Sequence, residues 1–196
     1  MKSLITALFL VLIPLTVQAQ TIHGFVEVQS GHPDPHAQLT LDGGASIQFT
    51  EQWALSSFFL IKGKYAEGHV GPVWSPLPYL KLRVALGLQQ RSGEMDLQTA
   101  YMLWAGYDRF SFTGAVEVGR TAYTGDVKNI WYDLTLRVKV LDWLTVGLKD
   151  RRPAGFGPVV EFSYQGLCAW FAWTPQAAEV AEFDPSKFIF GLKYGF

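Results

Sequence analysis

The sequence contains a single cysteine and few charged residues. Because Cys168 is the only cysteine among 196 residues, an internal disulfide is excluded, and so is a metal site built from several cysteines. Asp, Glu, Lys and Arg make up 17% of the chain, against about 25% in an average soluble domain. The formal net charge of -1 gives no support for nucleic acid as a partner.

Long apolar runs are also absent, except at the start of the chain. An apolar run from Leu4 to Val17 follows Lys2 and is interrupted by Pro14, and compact residues come next at the positions that a signal peptidase reads. The run is shorter than the ~20 apolar residues that a spanning helix needs. We therefore interpret residues 1–19 as a signal peptide and residues 20–196 as a single exported domain.

Strict alternation of side chains is abundant, and it is clearest in the final segment, KFIFGLKYGF. Such a period of two indicates a β-strand, because successive side chains point to opposite faces. Similar patterns cover residues 37–49, 80–91 and 130–140, and weaker ones occupy most of the remaining chain. One face of the final segment carries Phe188, Phe190, Leu192, Tyr194 and Phe196, and the other carries Lys187, Ile189, Gly191, Lys193 and Gly195.

This tail resembles the C-terminal recognition strand of bacterial outer-membrane β-barrel proteins, which ends in an aromatic residue preceded by alternating hydrophobic residues. The resemblance implies an outer-membrane location, contact with lipid and lipopolysaccharide, and recognition by the barrel-assembly machinery. The residues that would carry the assembly signal are Phe190, Leu192, Tyr194 and Phe196.

The pattern as a whole predicts an all-β fold, a closed antiparallel up-and-down transmembrane β-barrel of twelve strands. Ten or eight longer strands remain open, because Pro72 and Pro158 could mark bulges or strand ends. Short and long connections alternate along the chain, as short periplasmic turns and longer outer loops do in membrane barrels. The aromatic residues beside the short connections are Trp53, Trp74, Tyr79, Tyr107, Phe110, Trp143, Tyr164 and Phe196.

Alternation alone does not decide which face meets water, since a soluble barrel turns its apolar row inward and a membrane barrel turns it outward. We favour the membrane arrangement, because the polar row is rich in small residues such as Gly44, Ser46 and Ala115. The charges in that row predict a lumen network that either fills the barrel with salt bridges or forms a selectivity ring. The predicted network is Glu27, Lys62, Lys81, Arg83, Glu117, Asp133, Arg137, Glu161 and Lys193, and Asp42, Lys64, Lys139 and Lys149 share its face.

No constellation of catalytic or metal-binding residues stands out, and no cofactor is predicted. His23 and His69 have no serine or acidic residue at a characteristic spacing. The segment GHPDPH contains three possible metal ligands, His32, Asp34 and His36. Its two prolines are more typical of a stiff, polar surface loop than of a metal site. Arg151 and Arg152 are expected at the outer rim, as solvated loop residues or as contacts for lipopolysaccharide phosphate.

Three functions remain open from the sequence. The first is a small structural or narrow-pore barrel without catalysis, which we favour. The second is an outer-membrane enzyme acting on lipid or peptide, and the third is a soluble periplasmic barrel that binds an apolar ligand.

Overall fold

The chain forms a closed antiparallel barrel of twelve strands in a computed structural model, which describes residues 21–32, 39–91, 93–125, 129–176 and 184–196. Each strand pairs with its neighbours in the sequence, which confirms the predicted fold class and strand number. A 3-10 helix, Arg120–Thr124, follows the seventh strand. The strands are β1 (Ile22–His32), β2 (Thr40–Gln48), β3 (Trp53–Lys62), β4 (Tyr65–Leu77), β5 (Leu80–Arg91), β6 (Glu94–Tyr107), β7 (Phe110–Gly119), β8 (Ile130–Leu141), β9 (Leu144–Arg151), β10 (Gly155–Tyr164), β11 (Leu167–Trp173) and β12 (Phe188–Gly195).

The ring closes between the first and last strands. β1 pairs antiparallel with β12 from Phe25 opposite Gly195 to His32 opposite Phe188. Beyond this ladder, the backbone N–H and carbonyl of Gly24 both bond to Phe196, at 2.8 and 2.9 Å. Closure leaves no unpaired sheet edge, which is the condition for a sheet to stand in lipid.

The two ends of the barrel differ in their connections. One end, which we call the turn end, carries the connections 49–52, 78–79, 108–109, 142–143 and 165–166. The other, the loop end, carries 33–39, 63–64, 92–93, 120–129, 152–154 and 174–187. Three loop-end connections, 33–39, 120–129 and 174–187, have seven or more residues, whereas no turn-end connection has more than four. This is the asymmetry that the sequence predicts.

The connection between β3 and β4 is tighter than predicted. Weak alternation over residues 53–65 predicts a third strand that reaches Tyr65, but the chain turns at Gly63 and Lys64. Gly63 has a positive φ of 57°, which glycine tolerates well. Lys64 therefore lies in an exposed turn, and its predicted position on the lumen face is wrong. At the turn end the sequence predicts a connection over residues 75–79, but β4 runs to Leu77 and only residues 78–79 connect it to β5.

Both prolines that could have ended strands lie inside them. Pro72 pairs with Leu55 on β3, and Pro158 pairs with Leu148 on β9 without a shift of register. Proline lacks the N–H that a ladder uses, so each removes one possible bond from the sheet. The alternatives of ten or eight longer strands are therefore wrong, because the ring has twelve strands.

Large apolar side chains point away from the barrel axis. On β5 the exposed fraction of Leu86 is 68%, whereas Arg83 and Ala85 on the opposite face are buried. On β12 the exposed fraction of Phe190 is 48%. A soluble barrel would bury this row, so the arrangement is that of a barrel whose outer face meets lipid. Among the described residues, no helix combines the length and the apolar character needed to cross a bilayer.

Aromatic rings gather at the turn end of this outer face. The rings of Trp53 and Trp74 stack at 6.1 Å between centroids, and those of Trp143 and Phe162 stack at the same separation. Such rings suit the interface between lipid and water, where an apolar body and a polar edge are both satisfied. The aromatic residues predicted beside the short connections are all exposed: Trp53, Trp74, Tyr79, Tyr107, Phe110, Trp143, Tyr164 and Phe196.

Candidate functional site

The barrel encloses one large cavity with a volume of about 1630 Å³. Its lining includes His23 and Pro78 near the turn end, and Lys62, Arg91 and Lys187 near the loop end. The cavity thus extends along the barrel from one mouth to the other. Its wall combines many charged and polar side chains with aromatic and aliphatic ones, whereas large apolar side chains dominate the outer face.

The structure places every residue of the predicted lumen network on this wall. Asp42 and Lys149, which share the predicted face, line the wall as well, whereas Lys139 does not. The Lys139 side chain is exposed at the turn end, where its Nζ lies 2.8 Å from Asp142 Oδ1. The nine network residues on the wall are Glu27, Lys62, Lys81, Arg83, Glu117, Asp133, Arg137, Glu161 and Lys193.

One group of side chains, which we call the arginine cluster, joins β8 and β9 to β1 and β2. Asp133 on β8 accepts hydrogen bonds from Lys149 Nζ at 2.6 and 2.9 Å, and also from the guanidinium of Arg151. The other arm of Arg151 donates to the side-chain oxygen of Gln29 on β1, and Gln29 donates to Asp42 at 2.6 Å. Since β10, β11 and β12 separate β9 from β1 in the ring, Arg151 crosses part of the lumen.

The ring of Trp170 packs next to the Arg151 side chain. Its ring lies against Gly191, where a Cβ atom would overlap it, and its Nε1 donates to Glu27. The ammonium of Lys149 and the guanidinium of Arg151 lie 5.3 and 5.8 Å from its ring centre, within cation–π range. Each buried charge here has a partner, as desolvation demands. The arginine cluster comprises Glu27, Gln29, Asp42, Asp133, Lys149, Arg151 and Trp170.

A second group, which we call the carboxyl cluster, spans β4 to β7. Glu67 and Glu117 are both buried. Glu67 Oε2 accepts from Tyr65 Oη at 2.5 Å and from Gln98 Nε2 at 3.0 Å. The cluster comprises Tyr65, Glu67, His69, Arg83, Gln98 and Glu117.

His69 connects Arg83 to Glu117 within the carboxyl cluster. Arg83 Nη2 donates to His69 Nδ1 at 2.9 Å, so the imidazole proton resides on Nε2, which lies 3.4 Å from Glu117 Oε1. The ring also stacks on Phe58, with centroids 4.9 Å apart. His69 is therefore held as a neutral donor, with its orientation fixed from three sides.

The two clusters lie on opposite sides of the lumen. The carboxyl cluster has its members on β4 to β7, and the arginine cluster has its members on β8, β9, β11, β1 and β2. The middle of the first set, β5 and β6, lies across the ring of twelve from β11. A third contact, Arg137 Nε to Glu161 Oε1 at 2.7 Å, holds the wall between β8 and β10. Side chains of both clusters line the cavity.

The sequence analysis did not predict several of the side chains that line the lumen. Arg151, expected at the outer rim, points inward, and this prediction is wrong. Arg151 lies two residues after Lys149, so the alternation of β9 extended by one step would have placed it inside. Aromatic rings also enter the lumen, as Phe25, Phe58 and Trp170 do, although they were expected mainly at the outer interface.

The residues considered for catalysis do not form a triad. Ser56 Oγ donates to the carbonyl of Gly71 at 3.5 Å, and both nitrogens of His69 already have partners. Within the described ranges, no group of three or more His, Cys, Asp or Glu side chains is placed to hold a metal ion. Asp34, His36 and the side chain of His32, considered as metal ligands, lie outside what the structure describes.

Comparisons with known proteins identify a shared fold. No protein-family description and no curated protein matches the chain. The NanC porin, solved in a rhombohedral crystal form, aligns with a TM-score of 0.54 over 87% of this chain and 98% of its own, at 11% sequence identity. The siderophore receptor PiuA from Acinetobacter baumannii aligns with a TM-score of 0.33 at 11% identity, over 81% of this chain and 36% of the receptor. This chain thus spans about a third of the receptor's length.

Proposed function

We propose that the protein is an outer-membrane barrel that forms a narrow pore for small hydrophilic solutes. The observation that carries the proposal is the cavity of about 1630 Å³, whose charged and polar lining residues extend from one end of the barrel to the other, while the outer face is apolar. No reacting group is required, because the lumen itself provides the function.

Several features support the membrane location. The closed ring satisfies the backbone groups internally, which is what a hydrocarbon environment demands. The signal-peptide pattern of residues 1–19 supports export, and the fold shared with a porin supports an outer-membrane barrel. The outward row of Phe190, Leu192, Tyr194 and Phe196 on and beside β12 is accessible both to assembly machinery and to lipid or lipopolysaccharide.

The narrowness follows from the strand number and the clusters. Barrels of eight strands are filled by side chains, while those of sixteen or more leave a wide aqueous channel. Twelve strands lie between these limits, and here the two clusters occupy opposite sides of the bore. We therefore expect passage of ions and small solutes, with larger ones excluded.

Conductance in a planar lipid bilayer tests the proposal. The refolded protein is first checked by heat-modifiable gel mobility, so that only folded barrels are measured. We expect discrete steps of small unit conductance. Folded barrels that insert without any steps would instead show that the clusters close the bore, and that the protein is a filled structural barrel.

The crossing side chain of the arginine cluster gives a more specific prediction. Arg151→Ala removes the arm that reaches Gln29, while Lys149 remains on Asp133, so the wall keeps its ion pair. We expect a larger unit conductance and passage of larger neutral sugars in a liposome-swelling assay. Arg109→Ala, an exposed arginine in a turn, is the control and should conduct like the wild type. Equal conductance of both variants would mean that Arg151 does not limit the bore.

A further inference from the structure

The charges that line the cavity are not balanced. Among the described residues, the lining contains ten Lys and Arg residues against seven Asp and Glu residues, which leaves an excess of three positive charges. The chain as a whole has a formal net charge of -1. Positive charge is therefore concentrated on the lumen wall.

The carboxylates of this lining are for the most part withdrawn from the bore. Asp133 and Glu161 are half-buried, and each bonds to a cation, at 2.6 and 2.7 Å. Glu51 lies in the exposed turn after β2. The other four are buried: Glu27, Asp42, Glu67 and Glu117. A solute in the bore therefore meets few carboxylates directly.

Two lysines near the turn end have the opposite character. Lys81 is the second residue of β5 and is exposed, and Lys193 lies near the end of β12 and is half-buried. Within the part of the chain that the structure describes, neither ammonium group forms an ion pair. Each lies over an aromatic ring instead: Lys81 Nζ is 5.4 Å from the centre of Trp104, and Lys193 Nζ is 4.2 Å from that of Phe25.

An aromatic ring holds an ammonium group without neutralising it, because the ring attracts the cation through its quadrupole and has no net charge. Glu27 is directly opposite Lys193 on β1, but it accepts a hydrogen bond from Trp170 and forms no ion pair with the lysine. The positive charge of both lysines thus remains available to a solute.

The two rings lie against the wall, where glycines make room for them. A Cβ atom on Gly106 would lie 2.6 Å from the Trp104 ring, and one on Gly44 would lie 3.1 Å from the Phe25 ring. The rings and the ammonium groups next to them all line the cavity. The turn-end mouth therefore presents cations to the bore.

We propose that the pore prefers anions, and that Lys81 and Lys193 form a cationic filter at its turn end. This inference rests on the proposed pore function and names the class of solute that the lumen admits. Rings of cationic side chains select anions because they replace part of the hydration that the anion loses. Both ammonium groups can donate charge-assisted hydrogen bonds to chloride or to the carboxylate of a small solute.

The reversal potential of single pores under a KCl gradient measures this preference. The gradient is kept near ~0.1 M salt, where fixed charges act over ~10 Å. In the wild type we expect chloride to permeate more readily than potassium. The double replacement Lys81→Gln with Lys193→Gln should lower the ratio of chloride to potassium permeability toward one.

Lys139→Gln is the matched control for the filter. Lys139 also lies at the turn end, but it pairs with Asp142 and is not part of the cavity wall. Its replacement should leave the permeability ratio of the wild type unchanged. An equal loss in this variant would assign the preference to general surface charge and overturn the filter.

Conservative variants separate charge from shape. Lys81→Arg and Lys193→Arg keep the positive charge and should retain the anion preference, so its loss in both would contradict an electrostatic filter. The single variants Lys81→Gln and Lys193→Gln should each lower the ratio in part. They provide the same test if the double variant fails the check by heat-modifiable gel mobility.

The remaining outcomes distinguish the filter from the pore. Conductance steps without anion preference in the wild type would overturn the filter and leave the pore function intact. An anion preference that persists undiminished in the glutamine variants would also overturn the filter. Folded barrels without any steps would contradict the pore itself, and the filter with it.

Discussion

Replacement of Leu86 by arginine should lower the free energy of unfolding in a bilayer by ~2–4 kcal/mol, the cost of a cation near the membrane midplane. Leu86 lies in the middle of β5 and points outward, with an exposed fraction of 68%. Its replacement would put a charge among acyl chains rather than in water. A soluble barrel would tolerate the same change easily at so exposed a site.

Gln90→Arg is the matched control for this prediction. Gln90 lies on the same strand and the same face, one residue before the loop end of β5, where headgroups and water replace the acyl chains. Its replacement should cost only ~0–1 kcal/mol. Urea unfolding in phosphatidylcholine vesicles, followed by tryptophan fluorescence, measures both variants. Equal small losses would mean that the outer face of β5 does not lie in lipid.

Replacement of Asp133 by alanine should destabilise the barrel by ~3–5 kcal/mol, the usual cost of removing one partner from a buried ion pair. Asp133 is the carboxylate on which both Lys149 and Arg151 converge, and Lys149 is only 5% exposed. Without Asp133, two cations would remain side by side in the lumen wall. The same vesicle-based unfolding experiment measures this loss.

Asp142→Ala removes the same kind of contact from a different environment. The Lys139 ammonium donates to Asp142 in the exposed turn after β8, and this hydrogen bond and charge lower the pKa of the Asp142 carboxyl. Water screens such a pair, so its loss should leave the unfolding free energy unchanged within error. Similar results for the two aspartates would indicate that water solvates the arginine cluster freely.

The fold was predictable because strand alternation and connection length are local properties of the sequence. The face assignment of β5 and β12 follows directly from their alternating residues, and the polar connections 92–93 and 120–129 separate strands clearly. The boundary between β3 and β4 was placed wrongly because its turn has only two residues, Gly63 and Lys64. Lys64 continues the polar alternation of Lys62, so no change of pattern marks the turn.

The lumen was predictable as a set of residues but not as a set of contacts. Alternation assigns Glu117 and Asp133 to the inner face, yet it contains no information on which strands meet across the ring. The contact between Gln29 and Arg151 joins residues 122 positions apart and depends on closure of the barrel. The face on which Trp170 lies was not predictable for another reason. An aromatic ring is favourable at a lipid interface, and it is equally favourable next to a cation in the lumen.

The junction of β1 with β12 has a consequence for how the barrel is made. The first strand finds its second partner only in the last one, with Gly24 and Phe196 completing the ladder. A chain that has β1 to β11 in place still presents two open strand edges, each able to pair with another molecule. Pairing of β1 with β12 removes both edges at once, so an incomplete barrel stays exposed to pairing with other molecules until these two strands meet.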